Sequence, residues 1–133
     1  MKPENVEYIR YRNQSSKETL KDARLLLENG SLRSAVNRLY YACFYAVSAL
    51  LLTDDLHSSK HSGIRALFIK HWIKTGHSPQ QMGRFYLRLF ERRQTGDYHD
   101  LVTFEREEVE SWYREAEAFI TEVVMQTEKR LVN

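Results

Sequence analysis

The sequence predicts an all-α fold, an up-and-down bundle of four to five helices around a central, buried second helix. Three observations carry this expectation. Apolar residues recur at helical spacing from Val6 to Val124, and nowhere does the pattern settle into the strict alternation of a strand. Two prolines and five glycines in 133 residues leave little material for hairpins or long loops. Residues 31–52 are apolar around most of a helical circumference, as a helix enclosed by others must be. A chain of this length is expected to form a single domain, 1–133.

Each helix has its own start or stop signals. In the first, Val6, Ile9, Leu20, Ala23 and Leu26/Leu27 share a face, and Asn29-Gly30 supplies a C-terminal stop. The polar run Asn13-Gln14-Ser15-Ser16 is expected to fray or break it. Ser31 reads as the N-cap of the second helix, which reaches about Leu52 before Thr53-Asp54-Asp55. A third helix covers about 61–74, with Ile64, Leu67, Phe68 and Trp72 inward. Ser78-Pro79 reads as an N-cap followed by proline in the first turn, opening a fourth helix that runs to about Thr95. Thr103 is the expected cap of the fifth, whose first turn carries Glu105, Glu107 and Glu108 where the helix dipole favours acids. Its stripe is Val109, Trp112, Ala116, Ile120 and Val123/Val124.

Composition narrows the class of function. At 42% hydrophobic and 29% charged, the chain reads as a folded soluble protein. The N-terminus has no apolar signal region, and the longest nearly apolar run, Leu39 to Leu52, is shorter than a bilayer span. Cys43 sits in mid-pattern as a small core filler, and a cytoplasmic setting with no membrane association is expected. The five histidines are dispersed, so neither a metal nor a cofactor is expected, and there is no phosphate-binding glycine loop or nucleophile elbow. The net charge of +2 hides an asymmetry. Residues 60–93 carry eight basic side chains against Glu91 alone, whereas residues 97–133 carry ten acids against four bases. A basic middle suits a polyanion; a pair of solvated helix faces suits the same numbers.

The sharpest local feature lies at the end of the fourth helix. On the helical wheel Met82, Phe85, Tyr86, Leu89 and Phe90 share one face, and Arg93 falls in its middle, while Arg84, Arg88 and Arg92 run along the other side. Asp97 follows Arg93 by one turn, and His99 comes soon after. A buried guanidinium is costly unless paired, so this is either a structural Arg–Asp lock or a cation, a carboxylate and an imidazole gathered around a site. The second helix offers matching groups, because Asn37, Tyr41 and Ser48 make a polar stripe with Arg38 beside it. One chemistry uses such a set. RNA is cut without metal when its 2′-hydroxyl attacks the adjacent phosphorus, an imidazole moves the proton and a guanidinium holds the phosphoryl oxygens. Arg93 and His99 supply both groups, with Asp97, Asn37 and Arg38 supporting them and Tyr98 alongside. Lys60, His61 and Arg92 are candidates for contact with RNA or a nucleotide.

The run Ser34-Ala35-Val36-Asn37-Arg38-Leu39-Tyr40-Tyr41-Ala42-Cys43-Phe44, with Ser59-Lys60-His61 and Arg93…Asp97-Tyr98, resembles the HEPN superfamily, and most nearly its small stand-alone prokaryotic members. The resemblance covers essentially the whole chain. It implies a helical bundle that dimerises and is often the toxin half of a pair with a minimal nucleotidyltransferase. Many members are metal-independent ribonucleases built on an Arg, four to six residues, then a His. Arg93 and His99 match with five residues between them. Gln94 stands where active members commonly have Asn or Asp, and Leu101 where adenylylated members have the acceptor tyrosine. The alternative implied by the family is a non-catalytic accessory subunit that binds a nucleotide or the nucleotidyltransferase.

Overall fold

The computed structural model describes residues 1–132. Within them five helices and no strands follow one another: α1 (Pro3–Glu28), α2 (Leu32–Leu52), α3 (His61–Phe68), α4 (Gln80–Tyr98) and α5 (Arg106–Val132). α3 runs on without a break into one wider, π-type turn, Ile69–Ile73. The sequence places all five helices correctly but misjudges several of their ends.

The largest departure is in α1, which is continuous through Asn13–Ser16. The run does not break the helix because two of its polar residues, Asn13 and Ser16, lie in the seam against α2. Asn5, Asn13, Ser16, Thr19, Ala23 and Leu27 are all buried on that side. Ser16 Oγ donates to the Ala42 carbonyl at 2.7 Å. Small side chains let the two backbones approach, and this packing outweighs the weak local preference of Asn and Ser against helix. At the far end of α1 the chain reverses through Gly30 at φ +79°, where the Ser31 and Gly30 amides return to the Leu26 and Leu27 carbonyls. This is the left-handed helix stop that glycine permits at least cost.

α2 closes in the same manner without a glycine. Asp55 takes φ +57°, and the Leu56 amide reaches back to the Leu51 carbonyl. The left-handed backbone is offset by what the Asp55 carboxylate gains: Lys2 Nζ at 2.9 Å and Asn5 Nδ2 at 3.0 Å. α2 is the buried centre that the sequence predicts, with Leu39, Tyr40, Cys43, Val47 and Leu50 each at most 1% exposed. Its 21 residues meet the length and apolarity of a bilayer span, which the shorter run counted from the sequence does not, and most of that apolar surface is buried against the other helices. A column of rings crosses the core from α2 through α4 to α5: Tyr40 stacks on Tyr86 at 5.9 Å, and Tyr86 on Phe119 at 5.8 Å.

Three further boundaries shift. Pro79 is the residue that precedes α4, and Ser78, expected to cap it, hydrogen-bonds Gln126 of α5 instead. α4 runs past Thr95 to Tyr98, so Gly96 and Asp97 are helical, and Tyr98 lies on the last turn rather than beyond a break. Thr103 does not cap α5, which starts at Arg106; ahead of it the Glu105 amide donates to Glu108 Oε1 at 3.3 Å and the Glu105 carbonyl receives the Val109 amide. These shifts matter for the site, because they fix Asp97 on the same rigid rod as Arg93.

Candidate functional site

The site lies where the first half of α2 meets the last turns of α4. Arg93 is the only one of the α4 arginines to enter the core, at 7% exposure. Arg84 and Arg88 are exposed, and Arg92 lies half-buried with its guanidinium 4.0 Å over the Trp112 ring of α5. Arg93 Nη1 stands 3.5 Å from Asp97 Oδ2, one turn along the helix. Asn37 Nδ2 crosses from α2 and donates to the same Asp97 oxygen at 3.0 Å. Arg38 donates twice to Asn37 Oδ1, from Nε at 3.0 Å and from Nη2 at 2.8 Å. Thus Arg38, Asn37, Asp97 and Arg93 form one chain of polar contacts between the two helices.

Rings complete the seat of Arg93. Its Cζ lies 4.9 Å from the centroid of Tyr40, 5.4 Å from Phe90 and 5.8 Å from Tyr41. A guanidinium over a ring face is attracted by the ring quadrupole and loses less on burial than in plain hydrocarbon. Neutralisation of Arg93 is nonetheless partial. Its Nε is buried with no hydrogen-bond partner, and the 3.5 Å ion pair is longer than the 2.7–2.9 Å of a charge-assisted hydrogen bond. Beside this cluster runs an open groove of about 560 Å³, lined by Leu26, Arg33, Ser34, Asn37, Arg38, Gly96 and Asp97. Its charged walls are two guanidiniums and one carboxylate, so its field favours an anion.

The remaining candidates fall at different distances from this centre. His99 is the first residue after α4; it is exposed, and its amide still donates to the Thr95 carbonyl. The loop that carries it is pinned to the groove by Arg33, whose Nη2 donates to the carbonyls of Asp100 and Val102. Tyr98, on the last turn of α4, is 71% exposed. Lys60 is exposed just ahead of α3, while His61 is half-buried among the α2 rings, its Nδ1 2.9 Å from Tyr40 Oη. Ser48, on the stripe with Asn37 and Tyr41, is buried with its hydroxyl unpartnered. Among the described residues no group of three His, Cys, Asp or Glu side chains converges as a metal site would require.

Sequence reasoning missed Tyr40, Phe90 and Arg33. Phe90 precedes Arg93 by three residues on the same face, and that spacing was a usable signal. Arg33 acts on carbonyls 67 and 69 residues away, and nothing local announces such a contact.

Comparison with known proteins identifies the family. The HEPN domain model matches residues 9–129. A UPF0332 protein of Thermotoga maritima is 52% identical over 88% of this chain and 89% of its own length. The protein named "Putative toxin MJ0605" of Methanocaldococcus jannaschii is 36% identical over 81% of this chain and 80% of its own. A second from that organism, "Putative toxin MJ0142", is 34% identical over 74% of this chain and 65% of its own. With an all-helical bundle and a family match across almost its full length, the chain belongs to the HEPN family.

Proposed function

We propose that this protein is a toxin-type effector that cleaves RNA without a metal, acting as a cytoplasmic homodimer and controlled by a minimal nucleotidyltransferase partner. The observation that carries the reading is the under-neutralised cation at the end of α4: Arg93, buried, loosely paired and with Nε unpartnered, on the helix that His99 directly follows. Relatives named as toxins support the effector role. In the reaction the 2′-oxygen attacks the neighbouring phosphorus as His99 removes its proton, and the bond to the 5′-oxygen breaks as that oxygen takes the proton back from the imidazolium. The products are a 2′,3′-cyclic phosphate and a 5′-hydroxyl. Arg93 stabilises the charge that builds on the non-bridging oxygens. Asp97 and Asn37 hold the guanidinium in place, Arg38 and Lys60 draw the phosphodiester chain inward, and Arg33 fixes the loop that presents His99.

The test is cleavage of labelled RNA by purified protein in EDTA, wild type beside His99→Ala and Arg93→Ala, with analysis of the product ends. Cyclic phosphate ends that vanish in both folded variants support the reading. A folded wild-type dimer that cleaves nothing across a broad RNA panel overturns it.

A second reading has its own observation. The three rings around Arg93 are what a structural lock would also use. It makes the chain a non-catalytic subunit whose groove binds a nucleotide or the nucleotidyltransferase, and it predicts nucleotide or partner binding without cleavage.

A further inference from the structure

One of the rings that carries Arg93 is itself held by an imidazole. His61, the first residue of α3, sits against α2 with ring centroids 4.5 Å from Phe44, 5.4 Å from Tyr41 and 5.6 Å from Tyr40. Its Nδ1 is 2.9 Å from the hydroxyl of Tyr40. The Tyr40 ring is fully buried, stacked on Tyr86 and met edge-on by Phe90, and Arg93 lies against it. Burial pushes the Tyr40 pKa up to about 12, so the hydroxyl keeps its proton at neutral pH. A neutral imidazole with its ring proton on Nε2 accepts that proton at Nδ1.

We infer that His61 is a positioning residue for Arg93: as a neutral acceptor it fixes the Tyr40 ring, and the face of that ring carries the guanidinium that Asp97 pairs. The inference rests on the reading of Arg93 as the anion-holding group and adds what sets its posture. Attraction between a cation and a ring depends on which part of the ring faces the charge, so a fixed ring is a fixed seat.

The groups that face His61 make its charge state consequential. From α2 these are Tyr40 and Tyr41, the latter with the Arg38 guanidinium 4.9 Å from its centroid. From α4 there is Arg93, and along the chain Lys60 precedes His61 and Arg65 follows one turn later. None of these is a carboxylate. Burial, and secondarily the charge of Arg93, hold the imidazole below its usual pKa. Protonation would turn Nδ1 into a donor, turn the Tyr40 hydroxyl hydrogen away from it and place a second cation beside Arg93. The seat described here therefore belongs to the neutral imidazole.

The test is NMR on the full chain, following the His61 ring and the Arg93 Nε–Hε resonance across pH in wild type, Arg93→Gln, His61→Asn and His61→Phe. Three results are expected. The Arg93 resonance shifts with the same midpoint as His61, and Arg93→Gln moves the His61 midpoint upward, as reciprocal coupling requires. His61→Asn, whose amide oxygen still accepts from Tyr40 but never gains charge, keeps the Arg93 resonance near its neutral-pH position and abolishes its pH dependence. His61→Phe displaces that resonance at every pH. An Arg93 resonance indifferent to the His61 midpoint, or a His61 midpoint unmoved in Arg93→Gln, overturns the inference. Should His61→Phe fail to fold, the Asn and Gln arms still decide. RNA cleavage read in parallel should keep, in His61→Asn, only the part of the acid-side fall in rate that is independent of His61. If the wild type cleaves no RNA, the ribonuclease reading fails, while the NMR coupling still decides the role of His61.

Discussion

Replacing Asp97 with Asn isolates the charge that holds Arg93. The amide is nearly isosteric, and its oxygen can still accept from Asn37 Nδ2, so the hydrogen bond survives and the ion pair does not. At the observed 3.5 Å, two unit charges attract by about 5 kcal/mol at an effective dielectric of 20 and by about 1 kcal/mol in water. The Asp97 side chain is 26% exposed, which places the pair between these limits, and the three rings retain part of the stabilisation of the cation. The expected cost is about 2 kcal/mol, below the 3–5 kcal/mol of a fully buried pair broken on one side. For a chain of this size that lowers Tm by roughly 5–8 °C. Urea unfolding of wild type, Asp97→Asn, Arg93→Met and the double variant closes a cycle, in which Met keeps the aliphatic packing and removes the cation. The double variant should be less damaged than the two single losses together by about 1 kcal/mol or more. Additivity to within roughly 0.3 kcal/mol would refute the argument and assign the seat of Arg93 to the rings alone.

Other outcomes follow from single features. A methyl group added at Gly96 would stand 2.9 Å from Phe104 Cε2 and 3.3 Å from Cζ, and Phe104 is packed against Trp112. The gain in helix propensity from Gly96→Ala, about 1 kcal/mol, is therefore outweighed by overpacking of about 1–3 kcal/mol, and thermal melts should show a net loss. His61 is held below its usual pKa in the folded state, so the unfolded chain binds the extra proton first. Its contribution to stability is full above the unfolded value of about 6.5 and is lost as pH falls from there through the lower folded value. Urea midpoints measured from pH 7.5 to 4.5 should decline in wild type, and His61→Asn should remove part of that decline. Burial raises the Cys43 pKa, so an aromatic disulfide reagent should modify this thiol only at the rate of unfolding; rapid modification of the native protein would contradict its placement in the core.

What the sequence determined by itself follows from periodicity. A period of 3.6 residues, the Asn29-Gly30 stop and the largely apolar α2 are local properties, and each survives intact in the folded protein. The same periodicity singles out Arg93, because direction on a helix wheel is a property of one helix alone. It also leads from Arg93 to Asp97 and across to Asn37, and the structure joins these three. Tertiary structure decided the rest. Asn13 to Ser16 looked like a break because propensity counts only the isolated helix, and the close approach of α2 reverses that judgement. Whether His61 or His99 shares the surroundings of Arg93 could not be read from spacing, since His61 reaches it through a ring on another helix. Nor could spacing show that Arg33 ties down the loop of His99 from the start of α2. Such contacts depend on where separate helices cross, and the packing of the entire core sets that crossing.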